Sequence, residues 1–173
     1  MKIDYMGKAQ EYYPSALKLL EKLISFKTVL DKYDPNSDAP FGIENKKALN
    51  YLLESAKNDG FEVKNVDNYA GHIEFGNSNG EIVGILGHLD VVPTKGQNWE
   101  SDPFTLTKRD GKLYARGSED DKGPLVASYM ALKIIKDLKL PVSKRARLIF
   151  GCDEESGSRC LTHYFEKEIK PEI

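Results

Sequence analysis

Ile82-Val83-Gly84-Ile85-Leu86-Gly87 is an unbroken apolar run, and it ends in His88-Leu89-Asp90. A short run of this kind, with no polar alternation, predicts a strand buried on both faces. A second run, Arg147-Leu148-Ile149-Phe150-Gly151, ends in Asp153-Glu154-Glu155. Between the two, residues from about Gly123 to Leu138 carry apolar positions at helical spacing. Strand, helix and strand in that order predict an α/β fold, and sites in open α/β sheets gather at the carboxyl ends of strands. His88 and Glu154 both fall at such ends.

The flanking sequence extends the same pattern. Ala16, Leu19, Leu20, Leu23 and Ile24 predict a helix over Glu11 to Phe26, and Asp31 to Pro40 reads as a surface loop. Ala48, Leu49, Leu52, Leu53 and Ala56 share one face of a second helix, from Glu44 to Asn58, which Gly60 would end as a C-cap glycine. The period then changes to two over Phe61 to Val66 and His72 to Phe75. Pro93 to Pro103 is irregular, Phe104 to Tyr114 reads as a hairpin turning at Asp110-Gly111, and a short helix is expected from Ser156 to about Lys167. The expected fold is α/β, a layered mixed sheet flanked by helices.

The 173 residues suffice for one domain with a sizeable core. A composition of 40% hydrophobic and 30% charged residues is that of a soluble globular protein, and no apolar run approaches a bilayer span. A net charge of −2, with both signs mixed along the chain, gives no basis for nucleic acid or an anionic membrane as partner. Met1 to Tyr5 lacks the apolar core of a signal peptide, and two cysteines are too few for a disulfide framework, so a reduced, cytoplasmic setting is expected.

Three clusters carry the chemistry. His88 and Asp90, two apart in extended chain, point to one side. They form either a structural pair or a metal ligand with a carboxylate fixing its tautomer. Glu119-Asp120-Asp121 lies between Gly117 and Gly123. It is either a solvated turn capping the next helix or a carboxylate able to bridge two ions, and it does not match a calcium-binding EF-hand loop. Glu154 and Glu155 are either surface residues or, with side chains diverging at a turn, one ligand and one general base. His72 and His163 read as non-functional. Trp99, Phe104 and the prolines around them read as a loop wall or as core packing, and Cys152 as a small buried residue at a strand end.

Together, Gly87-His88-Leu89-Asp90-Val91-Val92-Pro93, Gly117-Ser118-Glu119-Asp120-Asp121-Lys122-Gly123 and Asp153-Glu154-Glu155-Ser156-Gly157 resemble the dinuclear zinc peptidase superfamily of carboxypeptidase G, succinyl-diaminopimelate desuccinylase and aminoacylase. Asn65 to His72, Trp99 to Phe104 and Leu113 to Gly117 resemble its bacterial dipeptidase branch, peptidase V, the Xaa-His or carnosinase-like dipeptidases. The resemblance covers nearly the whole chain and implies a zinc exopeptidase-like catalytic domain. His88 would bind one zinc, Asp120 would bridge two, and Glu155 would bind the second. Glu154 would be the general base and Asp90 would orient His88, with a cis bond between Asp120 and Asp121. The implied cofactor is two zinc ions, with manganese or cobalt as alternatives. The implied substrates are dipeptides, or N-acyl amino acids if the chain is instead a deacylase or desuccinylase. Relatives carry a further acidic ligand, a histidine ligand and a lid domain beyond these motifs. Residues 1–173 are therefore expected to be the N-terminal portion of a catalytic domain. An inactive metal-binding fragment, self-associating through an unfinished sheet edge, is the other expectation.

Overall fold

The computed structural model describes residues 3–173. Helix α1 spans Tyr5–Ser25 and α2 spans Ile43–Asn58. Strands β1 (Glu62–Val66), β2 (Ala70–Gly76) and β3 (Ile82–His88) follow, then the hairpin β4 (Thr107–Arg109) and β5 (Lys112–Tyr114). Helix α3 (Lys122–Asp137), β6 (Arg145–Gly151), a 3-10 turn at Glu154–Ser156 and α4 (Arg159–Lys167) complete the order. None of these helices is long and apolar enough to cross a membrane.

Local chemistry explains the boundaries. The Asp4 side chain caps α1 by accepting a bond from Gly7 N at 2.9 Å, so the helix begins earlier than its apolar stripe does. Helix α2 ends in a Schellman motif. Phe61 N bonds Ala56 O, Gly60 N bonds Lys57 O, and Gly60 takes the positive φ of 79° that this geometry needs. Asp110 and Gly111, with φ of 49° and 75°, turn the β4–β5 hairpin. The expected helix from Ser156 is divided, because Gly157 and Ser158 both adopt positive φ and break it from the preceding 3-10 turn.

The main sheet has the order β1-β2-β6-β3. β1 and β6 are antiparallel to β2, while β3 is parallel to β6. Ile73, Leu148 and Phe150 on one face pack with Leu23 and Ile24 of α1, Leu49 and Leu52 of α2, and Leu125 and Tyr129 of α3. Val66, Ala70 and Ile149 on the other face meet Tyr164 of α4. The domain is thus a mixed sheet between helical layers, with most apolar burial under α1–α3.

Two expectations fail here. Strand β3 is not buried on both faces, since Leu86 is 56% exposed; the strand lies at the sheet edge and pairs only with β6 among the described strands. Gly84 N and Ile82 O on its outer side bond Ile173 O and Ile173 N. Trp99 and Phe104 are half-buried in surface loops rather than packed in the core.

The pairing of β3 with β6 matters most for function. His88 stands opposite Gly151 in the ladder, so both strands end at one level. The segments that follow, Leu89–Asp90 and Cys152–Glu155, therefore emerge side by side.

Candidate metal centre

Asp90 joins these two segments. It is almost wholly buried, and its two carboxylate oxygens accept Glu154 N and Glu155 N, each at 3.0 Å. Its backbone carbonyl lies 3.0 Å from His88 Nδ1, closer than its own Oδ1 at 3.4 Å. His88 is thus oriented chiefly by the main chain, while the Asp90 carboxylate fixes the glutamate turn. From the other side, Thr28 Oγ1 donates to Leu89 O at 2.6 Å and Val91 N donates to Thr28 O at 3.0 Å. Asp153, also buried, accepts Cys160 N at 2.8 Å and Arg159 Nε at 2.7 Å, which ties the turn to α4.

The Asp120 loop is anchored by its neighbours. Asp121 precedes α3, yet its side chain makes no cap bond. Its Oδ2 accepts His88 N at 3.0 Å instead. The bond between Asp120 and Asp121 is cis. Lys122 is fully buried, and its ammonium donates to Leu23 O at 2.9 Å and Phe26 O at 3.0 Å, carbonyls at the C-terminal end of α1 that also accept Phe26 N and Thr28 N. Burial pulls its pKa down to about 7. Gly123 packs so closely on the loop that a Cβ there would meet Ser118 O at 2.1 Å.

These anchors bring the donors together. His88, Asp120 and Glu155 each present one ligand atom, all within 4.8 Å of one another. His88 Nε2 is 2.9 Å from Asp120 Oδ1, and Glu154 Oε2 is 3.9 Å from the same nitrogen. Burial alone would lower the His88 pKa, but Asp90 and Asp120 at the ring, with Asp121 nearby, outweigh it and raise it to about 9. Burial, and then the Asp120 carboxylate, pushes Glu155 up from the usual carboxylate range.

This donor set fits a cation. With Nδ1–H directed at a carbonyl, a neutral His88 turns its Nε2 lone pair toward a carboxylate oxygen. Two acceptors 2.9 Å apart need a proton or a metal ion to hold them there. One imidazole and two carboxylates are ordinary zinc donors. The Nδ1 bond to the carbonyl is the usual outer partner of a ligating histidine.

Other residues separate from this group. His72 is buried on the far face of the sheet, its Nδ1 2.7 Å from Tyr164 Oη. His163 stacks on Tyr69 and pairs with Asp67 at 2.8 Å. Cys152 and Cys160 are free, buried thiols. Lys122 and Asp153 escaped sequence reasoning as supports, although both stand inside the quoted motifs. Their burial is what marks them.

A sequence model of Peptidase family M20/M25/M40 matches residues 84–172, which include all three clusters. A Bacillus subtilis (strain 168) protein named "Putative dipeptidase YtjP" is 47% identical over 151 residues, covering 87% of this chain and 32% of that protein. The crystal structure of human carnosine dipeptidase 1 superposes with a TM-score of 0.77 at 26% identity, over 92% of this chain and 36% of that one. An M20 family metallo-carboxypeptidase from Sulfolobus solfataricus gives 0.71 at 25% identity, over 88% and 34%. The chain spans about a third of the length of these relatives.

Proposed function

The chain belongs to Peptidase family M20/M25/M40, and from that premise we propose that it carries the metal-binding part of a dipeptidase. Residues 1–173 are then the N-terminal portion of the catalytic domain. The observation that carries this reading is the convergence of His88, Asp120 and Glu155 within 4.8 Å at the ends of two adjacent parallel strands. The dipeptidase names of the similar proteins support the substrate class.

His88, Asp120 and Glu155 would hold zinc. Zinc bound there would supply Lewis-acid polarisation of a peptide carbonyl and a lowered pKa for the attacking water. Glu154 is beside the donors but outside the converging triad, and half exposed, so it can accept a proton from water and return it to the leaving amine. Asp90, by gripping both glutamate amides, sets where Glu154 and Glu155 stand relative to His88.

The test combines zinc calorimetry with dipeptide hydrolysis. His88→Ala and Glu155→Ala are expected to lose zinc affinity, whereas Glu154→Ala keeps it and loses turnover. Zinc uptake indifferent to His88→Ala would remove the centre. Turnover that survives Glu154→Ala would remove the assigned base.

A further inference from the structure

Asp153, Glu154, Glu155 and Ser156 follow one another in the glutamate turn, and each is held from outside it. The inner two give their amides to Asp90. The outer two are held by a single side chain, Arg159. Its Nε donates to Asp153 Oδ2 at 2.7 Å, and its Nη2 donates to Ser156 O at 2.8 Å. To reach both, the guanidinium lies back over Gly157, where an added Cβ would stand 3.9 Å from it. Asp153 is wholly buried, so its carboxylate depends on a charged partner.

The guanidinium has a third contact, with its carbon 4.5 Å from the centroid of the Tyr33 ring. Tyr33 stacks on Phe41 at 5.4 Å, and its hydroxyl is 3.1 Å from that of Tyr69. Asp34 N donates to Pro40 O, and Asn68 Nδ2 donates to Asp38 O at 2.8 Å. Residues 31–41 thus fold back on themselves and are fastened to the turn between β1 and β2. A planar guanidinium can meet two oxygens with its edge and a ring with its face at once, which an ammonium cannot.

The Glu154 carboxylate is half exposed, and its contact with His88 Nε2 is long, 3.9 Å. Where it stands is therefore set by the backbone beneath it. We propose that Arg159 is a positioning residue for Glu154 and Glu155. It acts through Asp153 and Ser156 O, and Tyr33 seats it, so residues 31–41 become a support of the site. The assignment rests on the peptidase reading above.

Amide hydrogen exchange in the metal-free protein tests it, because local opening of the turn is read apart from global unfolding. Relative to β6 amides, Arg159→Met should speed exchange at Glu154 N and Glu155 N by about tenfold. Arg159→Lys, which keeps the charge without the fork, should do so by less. Tyr33→Leu leaves both guanidinium bonds and should give about threefold, with little added when combined with Arg159→Met. Zinc affinity of the folded Arg159→Met protein should fall about tenfold. Unchanged exchange at the turn overturns the proposal, as does acceleration shared equally by β6, which a merely structural arginine would give. Unchanged zinc affinity beside a zinc-binding parent overturns it too, and full additivity of the two substitutions removes the part given to Tyr33. If Arg159→Met does not fold, Arg159→Lys and Tyr33→Leu decide by the same comparison. The peptidase reading is judged separately: a parent that takes up no zinc counts against the metal centre, while exchange still decides for or against Arg159.

Discussion

Replacing Asp90 by Asn removes one charge and almost no volume, so its cost isolates what the carboxylate does. Both oxygens accept backbone N–H groups, of Glu154 and Glu155, at 3.0 Å in a buried setting. An amide offers one oxygen and places an NH2 where the other oxygen stood, so donor faces donor. One partly buried N–H loses its partner, at about 1–3 kcal/mol. The surviving bond loses its charge assistance, roughly half its strength. The expected destabilisation is about 2–3 kcal/mol, which for a chain of this size lowers Tm by about 4–12 °C. Because the glutamate turn also loosens, zinc affinity should fall by about tenfold to a hundredfold, as for other outer supports of metal ligands. Calorimetric melting of the metal-free proteins and zinc titration of the folded ones measure the two effects. An Asp90→Asn protein melting within about 2 °C of the parent, with unchanged zinc affinity, would refute the bracing role.

Three further outcomes concern His72, Lys122 and Gly123. Burial, and then the Arg147 guanidinium, holds the His72 pKa down from 6.5 to about 4. The fold therefore favours the neutral ring: its contribution is complete above pH 6.5 and is lost as pH falls toward 4, by about 1–3 kcal/mol. Urea unfolding at pH 7.5 and 4.5 should show the parent losing that much more stability than His72→Gln, and equal losses would contradict it. Lys122→Met removes the charged donor that Leu23 O and Phe26 O share, leaving them Phe26 N and Thr28 N. Relief of a desolvated charge offsets part of that, so a net loss of about 2 kcal/mol is expected in the same assay. Gly123→Ala drives a Cβ against Ser118 O. It should cost about 3 kcal/mol, seen as a lowered Tm or loss of soluble protein.

Much of this was legible in the chain because the relevant signals are local. Ile82 to Gly87 and Arg147 to Gly151 declare strands by unbroken apolar runs, and Gly60 and Asp110-Gly111 declare turns by backbone freedom. The acids stood out because they follow those strands directly. What the residues could not declare was neighbourhood. An apolar run does not say what covers each face, so β3 read as buried on both faces although Leu86 stands open. Asp121 read as a possible helix cap, yet its carboxylate turns to His88 N, a choice made by β3 and α3 meeting in space. The Asp90 grip spans 64 positions and the Lys122 clamp nearly a hundred, distances at which no spacing rule operates.

The parallel ladder between β3 and β6 also sets an order of events during synthesis. His88 leaves the ribosome with no strand beside it, since β6 and the glutamate turn are encoded well after it. At roughly 5–20 residues per second, several seconds pass before Glu155 appears. Until then the nascent chain offers only scattered single donors, which hold metal weakly because no preformed site exists. Closure of the ladder sets His88 and the glutamate turn side by side in one step. On the proposed reading, metal acquisition would follow folding of the sheet, and a half-made chain would compete poorly for ions.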